Sequence, residues 1–259
     1  MTTVNINDIQ VQYQLDGDPQ APVLVLSNSL GTTMDMWADQ LAALSKTHRV
    51  LRYDTRGHGG SSAPAGPYTV DQLGQDVLAL ADALKIKTFS FCGISMGGLI
   101  GQWLGIHAPE RLDRLIVCNT AARIGQEAGW KERAALVRAQ GIGPVADGSP
   151  GRWFTSEFVA AHQATVATLI AQLRDTSPEG YAACCEALAV ADLRDQINSI
   201  STPTLVVAGS QDPVTTVADA DFIAGKVQVA SRVDLAASHL SNVEAAAAFN
   251  AAVSDFLNA

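Results

Sequence analysis

The sequence predicts an α/β fold in which a mostly parallel, doubly wound sheet carries an inserted helical cap. Several apolar runs are continuous rather than alternating, which is typical of strands buried on both faces. Amphipathic segments lie between these runs, and short connections between alternating strands and helices are typical of a doubly wound sheet. The connection from Asn119 to Thr204 is far longer than a single crossover helix requires, and this excess predicts the cap.

The strands are predicted in chain order by two kinds of pattern. The first fifteen residues alternate around Asn7 and Asp8, as expected of an antiparallel hairpin. Continuous runs follow at 23–27, 89–93, 115–119 and 204–209, with weaker candidates at 49–54 and 232–236.

The helices that cover the sheet are predicted by capping patterns. Thr69 with Gln72 forms a capping box ahead of an apolar helix face. Ser241 with Glu244 repeats this pattern before the last helix, which we expect to end at 256–257.

The cap is predicted over 120–198, which leaves 1–119 and 199–259 as the core domain. A proline at N1 after Ser177 indicates the start of one cap helix. Two further helical patterns occupy 130–140 and 164–174, whereas the segment GIGPVADGSPG at 141–151 is interpreted as a loop.

Composition excludes several classes of function. The chain has 26 acidic and 17 basic residues among 259, a net charge of −9. Binding to nucleic acid or to an anionic membrane surface needs clustered basic residues, so we expect neither partner. The apolar runs are too short to span a membrane, and the amino-terminal segment has no signal-peptide pattern.

The cysteines predict a reduced, cytoplasmic environment. The four cysteines have no Cys-x-x-Cys spacing, and we expect buried thiols rather than disulfides. No His-x-His or His-Glu-x-x-His pattern is present, so no metal site is expected. The four positions are Cys92, Cys118, Cys184 and Cys185.

The segment 93–98, GISMGG, fits the nucleophile-elbow pattern G-x-S-x-G. Ser95 stands between an apolar strand and an apolar helix, which is the context that this motif requires. The glycine spacing fits neither a dinucleotide-binding loop nor a P-loop, and a plain glycine-rich turn is the remaining alternative. We therefore predict Ser95 as a catalytic nucleophile.

The general base is predicted to be His239, because it follows the last strand and precedes the last helix. His58 lies in the loop RGHGGSS and is the competing candidate, although a structural loop role fits it better. The three other histidines are interpreted as surface or packing residues; they are His48, His107 and His162.

The acid of the triad is predicted to be Asp212, which directly follows the strand TLVVAG. The competing position after the strand LIVCN holds Asn119, which cannot act as a carboxylate. The oxyanion hole needs two backbone N–H donors, for which we predict Met96, after the nucleophile, and Leu30, in the loop after the strand VLVLS.

These motifs resemble the α/β-hydrolase superfamily over essentially the whole chain, and more narrowly the bacterial 3-oxoadipate enol-lactonases. The narrower resemblance rests on SNSLGTTMDMW, RYDTRGHGGSS, GISMGG, GRWFT, GYAACCEAL, GSQDPVT and HLSNVE. It implies an α/β-hydrolase fold and hydrolysis of 3-oxoadipate enol-lactone to 3-oxoadipate in aromatic catabolism, without a cofactor.

A substrate with a carboxylate needs a local cation in an acidic protein, and the first cap segment is the place to expect one. Arg133 shares a helix face with Trp130, so it is either a substrate ligand or a snorkelling surface residue. Arg123 is the alternative ligand. Trp130 and Trp153 are candidate cleft walls, although core packing explains either of them nearly as well.

Two other functions remain compatible with these residues. The first is an esterase or carbon–carbon bond hydrolase with a different substrate, because a triad does not define the substrate. The second is a small-molecule receptor that retains the triad, for which the sequence shows no exposed apolar patch. Oligomeric state does not follow from the sequence.

Overall fold

The structure is a computed structural model that describes residues 2–259, so Met1 of the predicted hairpin lies outside the described residues. The described residues form a sheet of eight strands covered by helices on both faces. The strands are β1 Thr2–Ile6, β2 Ile9–Asp16, β3 Val23–Ser27, β4 Arg49–Tyr53, β5 Phe89–Ile94, β6 Leu112–Cys118, β7 Thr204–Gly209 and β8 Ala230–Leu235.

Twelve α-helices lie within the described chain. Those of the sheet layer are α1 Ala38–Leu44, α2 Val70–Ala83, α3 Met96–His107, α10 Val217–Lys226, α11 Ser241–Glu244 and α12 Ala246–Asn258. Those between β6 and β7 are α4 Glu127–Gln140, α5 Gly143–Asp147, α6 Pro150–Trp153, α7 Ser156–Ala161, α8 Gln163–Arg174 and α9 Pro178–Val190.

The strand order is β1-β2-β4-β3-β5-β6-β7-β8, with antiparallel pairing only where β2 meets β1 and β4. The central strands are parallel, and Ser27 at the end of β3 is level with Gly93 near the end of β5. Gly93 is in turn level with Val117 of β6. The loops that leave the carboxyl ends of these strands therefore meet at one edge, where doubly wound sheets bind ligands.

The predicted doubly wound sheet is confirmed, and the strand bounds differ by only a few residues. The strands 23–27 and 204–209 are as predicted. β6 begins three residues earlier than expected and ends at Cys118, because Asn119 leaves the extended conformation with φ of 43°. This turn at the end of β6 directs the Asn119 side chain toward the loops at the sheet edge.

The prediction of a loop over 141–151 is wrong, because the short helix α5 lies within this segment and the short helix α6 begins at its end. A proline stands in the first turn of each, where its fixed φ suits a helix and its missing N–H is not needed. The six helices α4–α9 lie within the segment that the sequence assigns to the cap. The boundary of the cap at 120–198 stays a prediction.

The predicted capping boxes are only partly correct. Thr69 does cap α2, since its side chain accepts a hydrogen bond from the Gln72 N–H at 3.0 Å. Ser241 does not cap the last helix; its Oγ donates to Asn119 Oδ1 at 2.5 Å instead. Glu244 accepts from the Ser238 N–H at 2.7 Å, and the helical segment is interrupted at Ala245. Both side chains therefore fix the loop that precedes the helix.

Candidate active site

Ser95 lies on a sharp turn between β5 and α3. Its φ of 57° and ψ of −115° are rare for a residue with a side chain, and such strain persists only where the surroundings enforce it. The Ser95 N–H donates to the Cys118 carbonyl at 2.9 Å, which ties the turn to the neighbouring strand β6. These features are those of a nucleophile elbow.

The glycines on either side of Ser95 are required by close backbone contacts. A Cβ atom at Gly93 would lie 2.2 Å from the carbonyl oxygen of Gly97. A Cβ atom at Gly97 would lie 2.3 Å from the carbonyl oxygen of Ser27, the last residue of β3, directly before the loop that follows this strand. The spacing of G-x-S-x-G thus lets the elbow approach this loop closely enough for both to contact one ligand.

His239 and Asp212 are hydrogen bonded at the carboxyl edge of the sheet. His239 Nδ1 lies 2.8 Å from Asp212 Oδ2, and both residues are buried. Because Asp212 accepts at Nδ1, the ring presents Nε2 as the nitrogen able to take a proton. Ser95 and His239 line the same cavity, but no hydrogen bond joins them among the described residues.

Five hydrogen bonds to the carboxylate of Asp212 stabilise its ionised form. Oδ1 accepts the N–H groups of Val214 at 2.8 Å and Thr215 at 3.1 Å. Oδ2 accepts from His239, from the Thr215 hydroxyl at 2.8 Å and from Asn119 Nδ2 at 3.0 Å. Burial works to raise the pKa of Asp212, but these hydrogen bonds, that of His239 foremost, outweigh it and lower the pKa.

Asn119 is a site residue whose contacts the sequence did not predict. Its Nδ2 donates both to Asp212 and to the carbonyl of Ser238 at 3.0 Å, the residue before the candidate base. Its Oδ1 accepts from Ser241. The position after β6 thus holds an amide that fixes the relative position of Asp212 and the loop that carries His239.

Two backbone N–H groups are available for an oxyanion. The Gly97 N–H donates to the Asn28 carbonyl at 3.1 Å, and the Gly31 N–H donates to His58 Nε2 at 2.9 Å. The preceding N–H groups, those of Met96 and Leu30, donate to no acceptor among residues 2–259. Buried N–H groups rarely lack a partner, so this pair is suited to an oxygen of the substrate.

His58 supports the loop after β3 and does not line the cavity. Its Nε2 accepts from Gly31 and its Nδ1 donates to the Arg56 carbonyl at 3.3 Å, so both nitrogens are used by the backbone. Burial lowers its pKa to about 4, which keeps the ring neutral. These contacts match the structural role expected for His58.

The cavity beside Ser95 and His239 has a volume of about 290 Å³. Its walls include Leu30, Trp130 and Trp153, of which the tryptophans come from α4 and α6. Both tryptophan side chains are also largely buried, so they serve as cleft wall and as packing at once. The predicted loop ends at Gly151, whereas α6 begins at Pro150 and places Arg152 and Trp153 on the wall of the cavity.

Two guanidinium groups line the cavity, and the sequence predicted only one of them. Arg133 stacks on the Trp130 ring, with its central carbon 4.7 Å from the ring centroid. Arg152 is the second. Neither has a carboxylate within ion-pair distance among the described residues.

The structure does not bring Arg123, the alternative ligand, to this cavity. Arg123 lies 3.6 Å from a carboxylate oxygen of Asp192, and its side chain is 29% exposed. Its charge is therefore already partnered at the surface. Tyr181, which the sequence did not single out, does line the cavity and is buried beside Arg133.

Two further features concern the described residues as a whole. No helix within 2–259 has the length and apolar character needed to cross a membrane. No group of three or more His, Cys, Asp or Glu side chains in that range is arranged to hold a metal ion.

Comparison with known proteins agrees with this architecture. Residues 22–140 match the model of the alpha/beta hydrolase fold family. The 3-oxoadipate enol-lactonase 2 of Acinetobacter baylyi is 52% identical over 97% of this chain and 94% of its own length. The 3-oxoadipate enol-lactonase 1 of the same organism is 45% identical over 90% of this chain and 88% of its own length.

A solved structure extends the comparison to the whole fold. The crystal structure of the enol-lactonase from Burkholderia xenovorans superimposes on the complete chain with a TM-score of 0.98 and 46% sequence identity, and all of that chain is covered. The likeness thus includes the helices between β6 and β7 as well as the sheet. The chain belongs to the α/β-hydrolase family and, within it, to the group of the 3-oxoadipate enol-lactonases.

Proposed function

We propose that this protein hydrolyses the lactone ester of 3-oxoadipate enol-lactone and releases 3-oxoadipate, as its named relatives indicate. The reaction belongs to the catabolism of protocatechuate and catechol. The observation that carries the proposal is the cavity in which Ser95, His239 and the unpaired Arg133 meet. A nucleophile, a base and a cation in one cleft suit an ester that carries a carboxylate.

In the acylation step Ser95 Oγ attacks the ring carbonyl and transfers its proton to His239 Nε2. Asp212 accepts the Nδ1–H of His239 and stabilises the imidazolium that forms. The N–H groups of Leu30 and Met96 hold the negative oxygen of the tetrahedral intermediate. Collapse of this intermediate breaks the ring ester bond, and His239 returns the proton to the enol oxygen.

In the deacylation step water attacks the acyl-enzyme. His239 takes a proton from this water, and the same two N–H groups hold the second oxyanion. Ser95 then leaves as its hydroxyl, and the acyl carbon becomes a carboxylate. The reaction needs no cofactor, because ester hydrolysis moves only protons and an acyl group.

We assign the carboxylate of the substrate to Arg133. A guanidinium stacked on Trp130 is fixed in direction, and its N–H groups remain available for a bidentate contact. Trp130 and Trp153 form apolar walls that exclude water and strengthen this contact. The proposed cap, 120–198, supplies all three side chains and thereby sets the substrate preference.

The test compares two substrates in two variants. Arg133→Ala should lower kcat/KM for the lactone by roughly 30- to 1,000-fold, the loss expected for one charge-assisted contact in a partly desolvated cleft. The loss for a neutral aryl ester should be much smaller, because that ester has no carboxylate. The measurement is the ratio of the two kcat/KM values, with freshly generated lactone.

Arg123→Ala is the matched control, since Arg123 is paired with Asp192 outside the cavity. It should leave the ratio close to that of the wild type. The assignment of the substrate carboxylate to Arg133 would be overturned if Arg123→Ala lowered the ratio of the two kcat/KM values and Arg133→Ala did not. A wild type that prefers the aryl ester would overturn the proposed substrate itself.

A further inference from the structure

Arg152 lies on α6 and lines the cavity with Ser95 and His239. Its Nη2 donates to the Val145 carbonyl at 2.7 Å and to the Ser149 hydroxyl at 2.9 Å. These two contacts fix the guanidinium against α5 and against the residue that precedes α6. Nε and Nη1 have no acceptor among the described residues. The guanidinium is therefore held in place while these two nitrogens keep N–H groups that a ligand can accept.

The absence of an acidic partner distinguishes Arg133 and Arg152 from most arginines of the chain. Of the twelve arginines, eight lie within ion-pair distance of a carboxylate in the described residues. No Asp or Glu is among the residues that line the cavity. In a protein with a net charge of −9, this cleft concentrates two uncompensated positive charges.

Placing these two cations together is unfavourable without a ligand. Burial lowers the pKa of Arg152, and the nearby positive charge of Arg133 lowers it further. Tyr181, packed beside both guanidinium groups, carries no charge that could offset them, because burial raises its pKa. An anion that contacts both arginines would remove this repulsion, and functional sites are where such uncompensated charges are retained.

The charge of the bound molecule increases during the proposed reaction. The lactone carries one carboxylate, for which Arg133 is sufficient. Hydrolysis consumes one water, breaks the ring acyl–oxygen bond, forms a second carboxylate and releases one proton. The product therefore carries two negative charges, which equals the number of unpaired guanidinium groups in the cavity.

We infer that Arg152 is a second anion-binding group of this cleft, and that the site binds short dicarboxylates, the reaction product among them. The identity of that product rests on the proposed function. Dicarboxylate binding itself depends only on the two arginines. One consequence is inhibition by product-like dicarboxylates that exceeds inhibition by monocarboxylates of equal length.

The test measures binding without turnover. Isothermal titration calorimetry with adipate and with hexanoate compares a dicarboxylate with a monocarboxylate of the same chain length. The wild type should bind adipate about ten- to a hundred-fold more tightly, the range for one additional charge-assisted contact. Arg152→Gln should remove most of this preference and change the Kd of hexanoate by less than about threefold.

Arg114→Gln is the matched control. Arg114 also lacks a carboxylate partner among the described residues, but it packs on Phe256 away from the cavity. Arg152→Lys is used if Arg152→Gln fails to fold. This variant should retain part of the preference for adipate, because lysine keeps the positive charge but lacks the forked donors of a guanidinium.

Two results would overturn the inference. One is an adipate-to-hexanoate ratio that is the same in the wild type and in both Arg152 variants. The other is an equal loss of affinity for both ligands, which would mean that Arg152 and Arg133 hold a single carboxylate together. Lactone turnover is assayed separately and tests the proposed function. A failure of dicarboxylate binding therefore does not imply a failure of lactone hydrolysis, and the reverse holds as well.

Discussion

The contacts of Asp212 show how single residues define this site. The carboxylate accepts from His239 on one side and from Asn119 on the other, and Asn119 also holds the carbonyl of Ser238. The Asn119 amide thereby fixes the position of the His239 imidazole in two ways: through Asp212 and through the backbone loop that carries His239. Asn119 and Asp212 are far apart in sequence, so no local pattern predicts this contact.

Asn119→Ala should therefore lower kcat while changing KM little. The variant removes one hydrogen bond to the charged Asp212, which contributes about 1.5–3 kcal/mol. We therefore expect kcat to fall by at most roughly 10- to 100-fold. Steady-state kinetics on the lactone measures both constants. A rise in KM at constant kcat would mean that Asn119 acts on substrate binding and not on the position of Asp212.

The pair His239 and Asp212 gives a second prediction at this scale. His239→Ala should lower kcat by about 10⁴-fold or more, and Asp212→Asn by a similar or smaller factor, because triad residues act as a unit. Circular dichroism should show that both variants are folded. If His58→Ala abolished turnover in a folded protein while His239→Ala did not, the assignment of the base would be wrong.

At the scale of elements, the site depends on two loops held against each other. The elbow after β5 contacts the loop after β3 through Gly97, whose N–H donates to the Asn28 carbonyl. Asn28 is anchored in turn, since its Oδ1 accepts the indole N–H of Trp37 at 2.9 Å. The strand and helix patterns predicted both loops, but the hydrogen bonds that fix the two N–H donors are tertiary and have no local signal.

The neutral His58 that supports this loop predicts a pH dependence of stability. Its folded pKa of about 4 lies below the ordinary value of 6.5, so the unfolded chain gains a proton that the folded chain excludes. This contribution, about 3 kcal/mol, is fully present above pH 6.5 and is lost as the pH falls toward 4.

The measurement is the free energy of unfolding of wild type and His58→Gln, from urea titrations at several pH values. The advantage of the wild type should shrink by about 3 kcal/mol between pH 7 and pH 4, because the glutamine does not titrate. Parallel curves for the two proteins over that range would show that His58 is not held neutral by burial.

The segment between α4 and α7 shows the limit of prediction at the element scale. The glycines and prolines of 141–151 are typical of a loop, which the sequence predicts there, yet α5 forms within this stretch and α6 begins in it. Helices of four or five residues have too few positions to show an apolar period, and packing stabilises them instead. Arg152 lies on one of these short helices, so no sequence period indicates that it faces the cavity.

For the whole molecule, the sheet and the helices that cover it were predictable, because strands that are buried on both faces have continuous apolar runs in the sequence. The triad candidates followed from their positions after those strands, since the carboxyl ends of parallel strands share one edge. The positions of cations in the cleft were less predictable. Net charge describes the whole chain, whereas the local excess at Arg133 and Arg152 arises from helices folded over the sheet.

The central claim is that Ser95, on its strained turn, is the nucleophile for the lactone. The most direct measurement is kcat for the lactone in wild type and Ser95→Ala, with the fold of both checked by circular dichroism. The variant should remain folded and lose about 10⁴- to 10⁶-fold in kcat, as expected when a member of a triad is removed. A folded Ser95→Ala protein that keeps a tenth of the wild-type kcat would contradict the claim.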